Sequence, residues 1–165
     1  MPEVKNTNVP AVWTDAVADT GTTLLYSLGM VRHEDGKIYR YRQFDNGSGD
    51  VAAVSGNLAY FIDNGLKVTM DVSDTDRNLV AGVFISVPAD AAYCWVQTGG
   101  RHATVKTNGD DDVAKGDAII ASAAGDGTAD STAQDTAPTN HVVGWALAAD
   151  VDANNTVDTY LTLDA

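Results

Sequence analysis

The chain has 165 residues, enough for one domain that buries roughly 70% of the surface its unfolded form exposes, and its single cysteine, Cys94, excludes an internal disulfide. Ten basic against 23 acidic residues leave a formal net charge of −13, which repels phosphate backbones and anionic membrane and so disfavours nucleic-acid binding. Of the 23 acidic residues 21 are Asp, a residue that competes with the backbone and belongs in turns and caps rather than helix interiors.

Residues 1–21 read as an extended N-terminal arm and residues 22–165 as a β-rich domain. The arm carries Pro2, Pro10 and one apolar cluster, Val9, Val12 and Trp13, with Val12–Ala18 long enough for a helical turn or two. A Trp in a polar tail needs a pocket, which points to docking on a neighbour; a frayed terminus is the alternative. No apolar segment of signal-peptide type opens the chain, and no stretch approaches bilayer-spanning length, so synthesis in the cytoplasm and no membrane partner are expected.

Asn-Gly or Asp-Gly occurs five times, at Asp35-Gly36, Asn46-Gly47, Asn64-Gly65, Asn108-Gly109 and Asp126-Gly127. Both central residues of a type I′ turn need positive φ, so these pairs beside alternating runs signal hairpins. Thr23–Val31 is expected as a first strand. Lys37–Phe44 alternates, with Tyr39 and Tyr41 on one face and Arg40 and Arg42 on the other. Leu58–Ile62 and Leu66–Met70 flank Asn64-Gly65; Leu79–Val87 follows; Tyr93–Thr98 and Arg101–Lys106 are joined by Gly99-Gly100. Ala118–Ala121, His141–Leu147 and Thr156–Leu163 complete about ten short strands, an all-β fold of antiparallel sandwich or barrel type. Ser48–Gly56 reads as a loop with a brief strand, and Ala121–Thr139, almost wholly Ala, Gly, Asp, Ser and Thr, as a long surface excursion with no core of its own.

Chemistry is sparse. Asp150, Asp152, Asn154 and Asp158 place oxygens at positions one, three, five and nine of a calcium-loop template, but Asn155 stands where the template wants Gly and Leu161 where it wants Glu. Solvated hairpin loops are the competing account. Cys94 with His102 or His141 can be drawn as a dyad, yet Cys94 lies in an apolar run and the three His read as surface or strand-end residues. No nucleophile elbow or phosphate cradle is present, so no catalytic or cofactor-binding residue is expected. Tyr39 and Tyr41 suit a sugar-stacking platform, a subunit interface or ordinary sheet packing. Arg32, Lys37, Arg40 and Arg42 gather four of the ten basic residues, the natural place for this acidic chain to meet an acidic neighbour.

The segments Leu79–Val87, Ala92–Gly100, Val113–Ile120 and Val142–Leu147, with Ser27–Val31 and Asp35–Tyr41 upstream, resemble capsid decoration (cement, head-stabilising) proteins of tailed bacteriophages across roughly residues 22–165. The resemblance implies a compact β-barrel or β-tulip unit, commonly a homotrimer with an ordered N-terminal arm. Such a unit sits on the capsid exterior of the virion and clamps the major capsid protein lattice. Val9, Val12, Trp13, Arg40 and Arg42 are then the candidate capsid contacts. Other readings are a head fibre or receptor-binding knob, presenting the Ala121–Thr139 loop and the Tyr39/Tyr41 face to glycan, and a calcium-dependent carbohydrate-binding adhesion module.

Overall fold

A computed structural model describes residues 13, 15–63, 65–109, 112–123, 125–138, 140–150 and 155–164. Ten strands form one all-β sheet system: β1 (Val31–Glu34), β2 (Lys37–Phe44), β3 (Leu58–Ile62), β4 (Lys67–Thr69), β5 (Val80–Phe84), β6 (Tyr93–Lys106), β7 (Ala118–Ala121), β8 (Ala129–Thr132), β9 (Val142–Ala146) and β10 (Thr156–Thr162). Their order is β1-β2-β4-β3-β5-β6-β10-β9-β7-β8, and β2 also pairs with β6. The ladders through β2, β4, β3, β5 and β6 therefore return on themselves, while β10, β9, β7 and β8 continue outward from the far half of β6. One ladder departs from the expected antiparallel pattern: β2 and β4 run parallel, with Gln43 opposite Lys67.

Turn chemistry sets part of this order. Asp35 and Gly36 both take positive φ, 50° and 73°, closing a two-residue hairpin between Glu34 and Lys37. Asp63 and Gly65 also take positive φ, 52° and 73°, in the longer β3–β4 connection between Ile62 and Lys67, where Asn64 lies outside the described residues. The expected turn at Gly99-Gly100 does not form; these residues lie inside the 14-residue strand β6. A Cβ on Gly100 would stand 2.4 Å from the Gly36 carbonyl oxygen, and its φ is +78°. The pair thus lets the β1–β2 turn cross close over a continuous strand, with a bulge between Ile38 and Tyr39. The Gln97 side-chain amide, fully buried, donates to the carbonyls of Gly99, Gly100 and Arg101 at 3.1, 3.3 and 3.0 Å, so the backbone groups of the bend keep partners.

Three further expectations are corrected. Thr23–Met30 is turn and coil with Leu24 and Leu25 exposed, and the first strand begins at Val31. Ser48–Gly56 contains no strand, although Ala53 is buried in the core. The small-residue tract after Ala121 contributes β8, paired to β7, and its Ala129 is fully buried. Small side chains permit that close packing; their lack of apolar bulk hid it.

Two clusters fill the interior. Phe44, Ala59, Val68, Ala81, Phe84, Cys94 and Val96 draw on all five strands of the returning set. The second cluster joins Leu58, Tyr60, Val80 and Val83 to Val105, Ile119, Val143, Val157 and Leu161. Alternate residues of β3 and β5 thus serve both cores, as strand periodicity requires. Strand β10 alternates, with Val157, Thr159 and Leu161 buried and Tyr160 outside.

Candidate interaction surface

A third cluster lies on the other face of β2 and β6. Tyr39, Tyr41 and Trp95 are 5%, 3% and 0% exposed, because Trp13, Val17, Tyr26 and Leu28 pack over them. Trp13 meets Tyr26 and Trp95 edge-on at 5.4 and 5.5 Å, Tyr26 meets Tyr41 at 5.3 Å, and Tyr41 stacks on Tyr93 at 5.9 Å. Each such pair contributes about 0.5–1.5 kcal/mol beyond its buried area. The Tyr39/Tyr41 face is therefore ordinary packing, covered by its own chain, and not an open sugar platform. Trp13 has its pocket on this chain as well.

Asp15 organises the cover. Its carboxylate accepts the Trp95 indole N–H at 3.1 Å and the Tyr26 hydroxyl, and lies 3.6 Å from Arg32. Arg32, 4% exposed, also donates to the Asp15 carbonyl at 3.0 Å and pairs with Glu34 at 2.5 Å. Its guanidinium sits 5.1 Å from the Trp13 ring and 5.6 Å from that of Trp95. A buried cation is tolerable with this much pairing and ring contact. A backbone bridge between Gly21 and Tyr93 fixes the end of the segment. Beside it opens a cleft of about 480 Å³ between Asp19, Thr22, Leu25 and the two tyrosines Tyr41 and Tyr93.

The basic cluster turns inward. Arg40 grips Asp164 through Nε and Nη2, with contacts of 2.6 to 3.0 Å. Burial alone would raise the Asp164 carboxyl, but hydrogen bonds from Arg40 and Thr98 hold it below the ordinary carboxylate range. Arg42 is 5% exposed, with its guanidinium 5.2 Å from the Phe61 ring. Arg40 is held by its carboxylate partner, and Arg42 is buried with an Nε that no group among the described residues accepts from, so neither offers an open cationic surface. Val9 and Val12 lie outside the described residues, as do Asp152 and Asn154.

Asp158 stands in strand β10, not in a loop, and its carboxylate takes both Nε and Nη2 of Arg101 at 2.7 to 3.0 Å. Among the described residues no three His, Cys, Asp or Glu side chains gather closely enough to hold a metal ion. Other aspartates act as the composition suggests. Asp71 accepts from the Gly49 and Ser73 amides at 2.7 and 2.9 Å, and Asp74 from the Ser48 amide at 2.5 Å.

Cys94 is fully buried in the first core, where burial pushes its thiol up to about 12. His102 lies eight residues further along the same strand, too far for a dyad at about 3.3 Å per residue. Contrary to the strand-end surface role expected, His102 is 8% exposed; burial, then the charge of Lys37, takes it down to about 4 against an opposing pull from Asp158. It lines a groove of about 330 Å³ with Lys37, Tyr39 and Gln97.

No family model, curated protein or solved structure matches this chain.

Sequence reasoning overlooked Asp15, whose role needs a fold to bring Trp95, Tyr26 and Arg32 to it. It also overlooked the exposed pair Trp145 and Tyr160, 46% and 50% accessible. Their signal was present: each is a large ring on the outer parity of a strand whose neighbours alternate inward.

Proposed function

We propose that this chain is a capsid decoration, or cement, protein of a tailed bacteriophage. It is a non-catalytic homotrimer on the virion exterior that binds the major capsid protein and stabilises its lattice. The observation that supports this most is the anchoring of Trp13 by Tyr26, Trp95 and the Asp15–Arg32 pair. The chain ahead of Trp13, with Val9 and Val12, is thereby tethered at one fixed point of a stiff sheet. A fixed base lowers the ordering cost when such a segment docks on a neighbour. The charge of −13 suits a surface facing solvent instead of packaged DNA. Stabilisation follows from mass action, since a ligand that binds the assembled lattice and not its separated subunits favours the lattice.

The test is co-sedimentation with expanded empty heads built from the cognate major capsid protein. Saturation at a fixed ratio of chain to capsid subunit, with a raised melting temperature of the head, is expected. Deleting residues 1–12, which leaves Trp13 and Asp15 in place, should remove binding while the isolated protein melts unchanged. Absence of saturable binding by the full chain refutes the reading; binding that survives the deletion refutes the role given to the arm.

A further inference from the structure

We infer that the outer face of β9, β10 and β6 is a binding strip for a neutral oligosaccharide, centred on Trp145 and Tyr160. These residues are direct cross-strand partners, and Tyr160 is in turn opposite Arg101. Three adjacent strands therefore present indole, phenol and guanidinium in one row, about 10 Å long at ~4.8 Å per strand.

Both rings are open. Trp145 is 46% and Tyr160 50% exposed. The close ring contacts of the described residues lie in the arm-covered cluster and the Phe44–Phe84 pair, and neither Trp145 nor Tyr160 takes part in one. Neither makes a side-chain hydrogen bond among the described residues, so an indole N–H and a phenolic O–H stand free beside two free ring faces. That combination matches a sugar ring, which offers an apolar C–H face and a rim of hydroxyls.

Charge narrows the ligand. On a chain of net charge −13, the charges beside the two rings neutralise each other: Arg101 Nη2 lies 2.7 Å from Asp158 Oδ2. Nε and Nη2 of Arg101 are taken by that carboxylate, while its side chain is 65% exposed and leaves Nη1 to a hydroxyl. A polyanion finds no net attraction here, and a polycation finds no uncompensated carboxylate. The row ends at Ala118, opposite Trp145 and only 3% exposed. The inference stands apart from the capsid proposal and uses none of its residues.

The experiment is titration of the full chain with maltohexaose, cellohexaose, mannohexaose, chitohexaose and, as the acidic member, hexagalacturonate, read by tryptophan fluorescence and by saturation-transfer NMR. Saturable binding of at least one neutral hexamer is expected, with affinity reduced at least tenfold in Trp145→Ala and in Tyr160→Ser. Trp145→Phe, which keeps a ring, should retain most of it, and the melting temperatures of all three variants should match the parent. No saturable binding by any neutral member overturns the inference, as does preference for hexagalacturonate or binding that Trp145→Ala leaves intact. Self-association by sedimentation velocity that Trp145→Ala abolishes assigns the face to a second copy of the chain and overturns it too.

Discussion

Asp15 accepts the indole N–H of Trp95 at 3.1 Å from 80 residues earlier in the chain. One carboxylate thereby ties the N-terminal segment to the central strand, and it does so with a side chain only 10% exposed beside an Arg32 side chain at 5%. Asp15→Ala strips a partner from Arg32, Trp95 and Tyr26 together, although Arg32 keeps Glu34. The expected loss is about 2–4 kcal/mol in urea unfolding. Asp15→Asn, which still offers an acceptor, should lose less.

His102 makes stability depend on pH above the carboxylate range. Its folded value of about 4 lies below the ~6.5 of an unfolded histidine. The unfolded chain therefore binds more protons between these values, and stability falls as pH drops from about 6.5 toward 4. The loss reaches about 2 kcal/mol at pH 5 and about 3 kcal/mol below pH 4. His102→Gln should flatten the urea midpoint between pH 6.5 and 5, a window above the range where Asp45, Asp71 and Asp164 titrate.

Cys94 should be silent toward iodoacetamide in the native protein. The thiol is fully buried and pushed up to about 12, and the thiolate is the reactive form. Labelling followed by mass spectrometry should proceed at the rate of global opening and accelerate with sub-denaturing urea. Native labelling as fast as that of a free thiol would contradict its placement in the core.

Gly100→Ala should cost about 2–4 kcal/mol, because it combines a positive φ with a backbone clash at the Gly36 carbonyl. Gly21→Ala, at a glycine with open space around it, is the control and should change the urea midpoint little.

The fold was largely legible where local rules act alone. Asp35-Gly36 closes its hairpin, and Tyr39 and Tyr41 share one face of β2 against Arg40 and Arg42 on the other, although Arg42 is buried as well. It failed where tertiary contact overrides local chemistry. Gly99-Gly100 has turn composition but serves close backbone approach, and the alanine-rich stretch around Ala129 joins a core whose neighbours supply the bulk. Long-range pairing defeated the site reading for the same reason. Arg40 and Asp164 are separated by 124 positions, and no periodicity in the sequence announces that the basic cluster faces inward.

Strand β6 gives its first half to β2 and β5 and its second half to β10. One continuous ribbon of backbone thus belongs to both parts of the protein, and neither part is complete without it. A polypeptide nicked between β6 and β7 would form a natural reconstitution pair: the longer piece ends in a strand with one vacant flank, and the shorter carries the segment that zips onto it.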